Sequence, residues 1–325
     1  MINSPKMKYK SIFSNKHFRI NFNTDNRQMH TLMNRFLDFD NQQNHQKSGI
    51  DINFYVSFSK NNPANNYFQG RLLVNEKGSL SSCFGRSAVE TFADYKNKTV
   101  RGFVYDFKES YKEPMLDFIF TKPLRFILAK YGLFFLHASA VSRKGDAVII
   151  TGPQNSGKST LALVLAQNGF DFLVDDDCFI KPLNNKNLLV PFPTKAGLNS
   201  EVLKKFPNLK KHTIKKYYYG EKHRLSLHRI FENRNTGNYI CKFIIFPKYN
   251  ASGSVCLRPL SKQKALKMLV IENQYHEILN RKLYVENFWA IYNIVNNAKV
   301  FELDYNINNL EKVPLVVEKA FKNRS

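Results

Sequence analysis

The stretch "VIITGPQNSGKSTLALVLAQNGFDFLVDDD", residues 148–177, decides how this chain folds. An apolar run over 147–151 leads into Gly152, and Gly157, Lys158 and Ser159 complete a G-x-x-x-x-G-K-[ST] phosphate loop. The context, apolar strand before and helix "STLALVLAQNG" after, is the one in which that motif carries its mechanism. Glycines let backbone N–H groups turn inward around a phosphate, and the helix N-terminus adds positive potential. Gly152, Asn155, Ser156, Gly157, Lys158, Ser159 and Thr160 are therefore the expected nucleotide contacts. Lys158 would neutralise the β- and γ-oxygens, and Ser159 would supply a hydroxyl to Mg²⁺. Gly169 closes the helix, and "FDFLVDDD" is expected to be the next strand.

Three aspartates arrive at once, after a single short helix. In most P-loop NTPases the magnesium-binding acid lies much further along the chain. A strand that follows one crossover helix in a parallel sheet usually lies beside its predecessor, and its C-terminal end opens on the same crevice. Asp175 and Asp176 are thus expected near the γ-phosphate, pointing to opposite sides of their strand and so dividing two roles. One would hold Mg²⁺ while the other accepts a hydroxyl proton; Asp177 would cap the turn. His137, in the strand-like run before the loop, could orient the base carboxylate, contact the transferred phosphoryl group, or be a hydrogen-bonded core histidine.

With those residues in place, "FLHASAVSRKGDAVIITGPQNSGKSTLALVLAQNGFDFLVDDD" resembles the catalytic core of the HPr kinase/phosphorylase family, in particular its HPr-kinase-related, serine kinase-like branch. The shared features are a His-containing strand, the P-loop, a helix ending in Gly, and paired aspartates on the next strand. The resemblance implies an α/β P-loop kinase core of the HPr kinase and PEP carboxykinase type, with a smaller N-terminal α+β region. It implies ATP and Mg²⁺ as cofactors, Asp175 as general base, Asp176 and Ser159 at the metal, and catalytic roles for His137 and Lys158. The phosphoacceptor would be a serine-type hydroxyl on a peptide, protein or small metabolite. Two departures bear on the substrate: Thr160 stands where the family carries an acid after GKS, and no E-x-R-G-x-G segment is present, so neither HPr itself nor phosphorolysis is implied.

Working outward, the domains expected are 1–115, an N-terminal region of unknown role, and 116–325, the catalytic domain. In the first, "GIDINFYVSF" (49–58) and "TVRGFVYDF" (99–107) alternate like strands, "MHTLMNRFLDF" (29–39) is spaced like a helix, and "SKNNPANNYFQG" (59–70) is a turn-rich loop. In the second, 115–136 is a buried helix running toward a strand, 144–146 a turn, and "CFIKPLNNKNLLVPFP" a hairpin. "YICKFIIFPKY" (239–249) is a buried strand. A Ser-capped helix begins at 261, and helix, strand and helix follow to 321. Residues 194–237 are expected to be irregular. From 201 to 229 they carry nine Lys/Arg against two Glu, with "KKYYY" among them. That segment is open to three readings: a lid over phosphates, a nucleic-acid surface, or a solvated loop.

The chain has 325 residues and a formal net charge of +23, with a pI near 9.8. An acidic partner would use that excess, but Lys dominates over Arg, the usual phosphate reader, and compositional drift accounts for most of it. Nucleic acid is accordingly a secondary partner option, and the alternative function is a nucleotide-sensing binding module with a basic nucleic-acid face. The four cysteines show no CxxC spacing, which speaks against zinc sites and disulfides. No run reaches the roughly 20 apolar residues of a membrane span, and "MINSPKMKYKSIFSNKHFRI" has no apolar signal core, so a cytoplasmic protein is expected. A homo-oligomer stays open. An ATPase motor is disfavoured, since no later strand offers the acid such enzymes need.

Overall fold

The computed structural model describes residues 7–37, 49–58, 72–74, 80–84, 89–105, 115–184, 186–192, 196–214, 222–226, 230–231, 238–273 and 281–322. The chain forms two compact units: residues 1–132 with 275–285, and residues 133–274 with 286–325. Both combine helices with mixed sheets, so the class is α/β.

The first unit is built on a seven-stranded sheet. Its strands are β1 (Tyr9–Ser14), β2 (Phe18–Thr24), β3 (Ile50–Phe58), β4 (Leu72–Val74), β5 (Leu80–Phe84), β6 (Val89–Asp94) and β7 (Thr99–Val104), in the order β1-β2-β3-β7-β6-β5-β4. The β2–β3 and β3–β7 pairs are parallel, the others antiparallel. Helix α1 (Arg27–Phe36) connects β2 to β3. The Asn26 side chain caps it by accepting from the Gln28 and Met29 amides, two of the orphan donors at a helix start. A π-turn over Asp117–Thr121 runs into α2 (Lys122–Lys130). Alternation puts Phe18, Ile20 and Phe22 of β2 and Ile52, Phe54 and Val56 of β3 in the core. Phe54 and Phe120 lie 4.8 Å apart between ring centroids. Residues 59–70 lie outside the described residues.

The second unit begins with β8 (Phe134–His137) and β9 (Ser139–Arg143), separated by Ala138 alone. β10 (Asp146–Ile150) follows a two-residue turn. Lys144 and Gly145 both have positive φ, the type I′ geometry that suits the twist of a tight hairpin. Then come α3 (Lys158–Gln167), β11 (Asp171–Val174), β12 (Asp177–Leu183), β13 (Lys186–Pro191), β14 (Ala196–Asn199), α4 (Ser200–Lys205), β15 (Thr213–Ile214), β16 (Lys222–Leu225), β17 (Tyr239–Tyr249), β18 (Cys256–Pro259), α5 (Lys262–Glu272), α6 (Arg281–Asn297, of which 286–297 belong to this unit), β19 (Lys299–Tyr305) and α7 (Val313–Lys322). The main sheet runs β11-β9-β10-β17-β13-β12-β8, with β19 beside β17 and β18 beside β19. Because β8 and β9 are nearly continuous, the path from β9 through β10, β17, β13 and β12 returns to the segment it left.

β10, β17 and β19 are mutually parallel, and β10 and the Phe243–Phe246 part of β17 are apolar on both faces, as doubly covered strands require. Val148 and Ile150 pack with Leu161–Ala166 of α3 and with Val313, Val317 and Phe321 of α7. Ala147 and Ile149 face the other way, toward Ala265 and Leu269 of α5 and Ile291, Ile294 and Val295 of α6. Helix α3 is itself covered on its far side by Ala196, Leu198, Val202, Leu203 and Leu225, which explains why "LALVLA" lacks a polar stripe.

Three expectations change. β11 does not lie beside β10: β9 is inserted between them and pairs antiparallel with both, because the two-residue hairpin delivers β9 to that edge first. The aspartates do not alternate along one strand either. β11 ends at Val174, Asp176 takes a left-handed φ of 64°, and Asp177 donates its amide to the Asp175 carbonyl at 2.8 Å. Asp tolerates that conformation because its short polar side chain can bond locally. Asp177, instead of capping the turn, is the buried first residue of β12. Finally, the segment read as irregular is partly folded. β14, β16 and β15 form a small sheet, and Leu198, Val202, Leu203, Leu209 and Leu225 reach the core between the lysines. The tyrosine run at 217–219 lies outside the described residues.

Candidate active site

The loop from Gly152 to Ser159 joins the C-terminal end of β10 to the start of α3. Thr151 anchors its entry, donating its amide to Ile245 O at 3.1 Å and its hydroxyl to His137 O at 3.2 Å. Inside the loop Asn155 has φ 64° and Gly157 φ 97°. A Cβ at Gly157 would lie 2.8 Å from Tyr305 Cζ and nearer still to its hydroxyl, so glycine is required on two counts. The occupant of that space is functional in shape: Tyr305 Oη donates to Ser156 O at 2.8 Å and so holds the loop from below. Burial raises the Tyr305 phenol above its ordinary range, which keeps it a donor.

Lys158 is 5% exposed. Its ammonium lies within the loop, donating to Gly152 O at 2.8 Å and Pro153 O at 3.1 Å. Ser156 Oγ is buried with no hydrogen-bond partner. A loop curled around an ammonium, at a helix N-terminus, with an unused buried hydroxyl, is chemistry that fits an anion with several oxygens. Asn155 is exposed, and Ser159 and Thr160, in the first turn of α3, are half-buried.

The two acids occupy different environments. Asp175 is 1% exposed. Ser139 Oγ donates to its Oδ1 at 2.6 Å and Gly197 N to its Oδ2 at 3.0 Å, and the Ser159 hydroxyl is near enough to favour its charged form. Burial pushes its carboxyl above the usual range, and the Asp176 charge adds to the rise; Ser139, Ser159 and Gly197 oppose it. Asp176 is half-buried. Asp175, just past the end of β11, and Ser159, in the first turn of α3, are therefore close enough to influence one another although β9 separates β10 from β11.

His137 ends β8 opposite Asp177. Its Nδ1 lies 3.1 Å from Asp176 O; a carbonyl only accepts, so Nδ1 donates to it. Its backbone amide donates to Asn273 Oδ1 at 2.7 Å, while Asn273 Nδ2 donates to Leu269 O at 2.7 Å. Asn273, buried at the end of α5, and Tyr305 belong to the site but were not found from sequence. An Asn after a helix and a Tyr ending a strand are both common, and only their three-dimensional placement distinguishes them. Among the described residues no three His, Cys, Asp or Glu cluster in a way that would hold a metal by themselves. Ser159 with Asp176 would hold one only alongside phosphate oxygens, the usual arrangement for Mg²⁺.

Among the described residues no helix is long and apolar enough to cross a membrane. No protein-family model matches the chain, and no curated protein is similar to it. Among solved structures, the Hpr(Ser) kinase/phosphatase from Coxiella burnetii aligns with 58% of this chain and 94% of its own, at 16% identity and a TM-score of 0.28.

Proposed function

We propose that this chain is an ATP- and Mg²⁺-dependent kinase that transfers the γ-phosphoryl group to a serine-type hydroxyl of a peptide, protein or small metabolite. The observation that carries the proposal is the proximity of buried Asp175 to the Ser159 hydroxyl of a complete G-x-x-x-x-G-K-S loop, close enough for the hydroxyl to favour the carboxylate's charged form. Residues 135–177, which resemble the HPr-kinase-related branch, support the same chemistry. The loop amides, Lys158 and the N-terminus of α3 would bind and neutralise the phosphates. Mg²⁺, held by Ser159 and Asp176, would draw charge off the phosphate oxygens. Asp175, its carboxyl raised by burial, would take the acceptor's proton as that oxygen bonds to the γ-phosphorus and the bond to the ADP oxygen breaks. His137 would turn Nε2 to the acceptor hydroxyl or the phosphoryl group.

A second assignment of the acids is favoured by exposure: Asp176 is the more accessible, so it would be the base while Asp175 orients Ser159. Purified protein, Mg²⁺ and γ-labelled ATP in host extract, beside Asp175→Asn and Asp176→Asn variants, tests both. Labelling lost in Asp175→Asn at every Mg²⁺ concentration, but recovered by Asp176→Asn as Mg²⁺ is raised, supports Asp175 as base; the reverse supports Asp176. No labelling by any of the three, with equal nucleotide binding, would leave a nucleotide-sensing module as the better account.

A further inference from the structure

The loop reads phosphates, and none of its residues reads a base. The C-terminal edge of the parallel strands offers a group that could. β10, β17 and β19 run in the same direction; β17 and β19 end side by side at Tyr249 and Tyr305, and β10 ends earlier, opposite Ile245, all toward the C-terminal edge at which such sheets bind ligands. β10 ends in the phosphate loop, β19 in Tyr305 beneath that loop, and β17 in Tyr249, whose side is open: Tyr249 is 61% exposed.

Single exposed aromatics are ordinary, but this ring is held in place. It stands edge-on to Tyr305, at 90° and 6.4 Å between centroids. Buried Asn306 donates through Nδ2 to Tyr249 Oη at 3.4 Å and to Asn250 O at 2.9 Å, and its own Oδ1 accepts from Asn308 N. Asn250 N donates to Tyr305 O at 2.8 Å. The two strand ends are thus tied together, and one aromatic residue separates the exposed ring from the carbonyl of Ser156. A fixed, solvent-facing ring loses little side-chain freedom when a flat ligand covers it, and base-on-aromatic stacking tolerates any base.

We propose that Tyr249 is the base-stacking platform of the nucleotide site, so that this chain takes a nucleoside triphosphate through its base as well as its phosphates. The proposal rests on the nucleotide-binding reading of the loop, and its test separates the two. Binding of ATP and of inorganic tripolyphosphate would be measured for wild type, Tyr249→Ala, Tyr249→Phe and Lys158→Ala. Expected are a loss of about tenfold or more in ATP affinity for Tyr249→Ala, unchanged tripolyphosphate affinity, and near wild-type behaviour for Tyr249→Phe. Lys158→Ala should weaken both ligands. Equal weakening of ATP and tripolyphosphate by Tyr249→Ala would mean that the ring only supports the loop, and the platform would be refuted. Unchanged ATP affinity would refute it too, while the Lys158→Ala result still upheld the loop. Indifference of ATP to Lys158→Ala would instead overturn the phosphate-loop reading itself.

Discussion

The hydroxyl of Ser139 donates to the carboxylate of Asp175 at 2.6 Å, across 36 positions of sequence. The bond is one of those that hold down a carboxyl which burial and Asp176 push up. A raised pKa means that the folded chain holds the proton more tightly than the unfolded chain. Stability is therefore greatest below the ordinary carboxylate range and falls as pH rises toward the folded value. In Mg²⁺-free protein, Tm should decline over that window, and Asp175→Asn should flatten the decline. Ser139→Ala should deepen it and extend it upward, at a cost of about 1.5–3 kcal/mol once Asp175 is ionised. Tm profiles that coincide for wild type and Asp175→Asn would rule out a raised carboxyl.

Glu302 behaves in the opposite sense. Burial alone would raise its carboxyl, but Lys264 at 3.4 Å, Lys248 at 3.7 Å and Arg258 at 3.5 Å bring it below the usual range. Its contribution is present above the unfolded value and lost as pH falls through the folded one. All three cations are more than half exposed, so solvent screening keeps the effect small. Glu302→Gln should destabilise by less than about 1 kcal/mol near neutral pH, and by still less in 1 M salt. Denaturation at two salt concentrations checks it, and a loss that ignored salt would contradict an ionic origin.

What sequence revealed and what it concealed divide by range. The run from β10 through α3 to Gly169 was legible because each signal is local: an apolar strand, glycines where φ is positive, a helix stop. Ser261, which accepts from Lys264 N at the start of α5, was legible for the same reason. The insertion of β9 between β10 and β11 was not, since strand neighbours are chosen by hydrogen bonding across the sheet, which leaves no periodic trace. Asn273 and His137 meet across 136 positions. The fold of 196–214 and 222–226 was hidden because lysines outnumber its few core leucines, and composition weighs all residues equally where packing does not.

Gly157 and Tyr305 make a coupled pair. Gly157→Ala places a methyl group against the Tyr305 ring and adds about 1–2 kcal/mol of left-handed backbone strain. Tyr305→Phe removes one hydrogen bond, worth about 0.5–1.5 kcal/mol. Nucleotide affinity should fall much further for Gly157→Ala than for Tyr305→Phe. Enlarging the space with Tyr305→Leu should restore part of the loss, a non-additivity expected of residues in contact. Calorimetric titration of Gly157→Ala, of Tyr305→Leu and of the Gly157→Ala/Tyr305→Leu double variant measures it; strictly additive effects would show that the ring does not constrain the loop.

Asn273 fixes the backbone of His137 rather than any reacting atom. Its amide group satisfies the His137 N–H and the Leu269 carbonyl at once. Asn273→Ala should destabilise the second unit by about 1–3 kcal/mol through the unmet His137 N–H, while the Leu269 carbonyl keeps its bond from the Asn273 backbone amide at 3.1 Å. Asn273→Asp keeps the acceptor for His137 and loses the donor to Leu269. If Asn273 positions His137 for transfer, Asn273→Asp should retain more of kcat than Asn273→Ala, and both should bind nucleotide like wild type, because Lys158 and the loop are untouched. Comparison of kcat with nucleotide Kd at a temperature where both variants are folded separates the effects. Equal kcat in the two variants would reduce Asn273 to a helix cap.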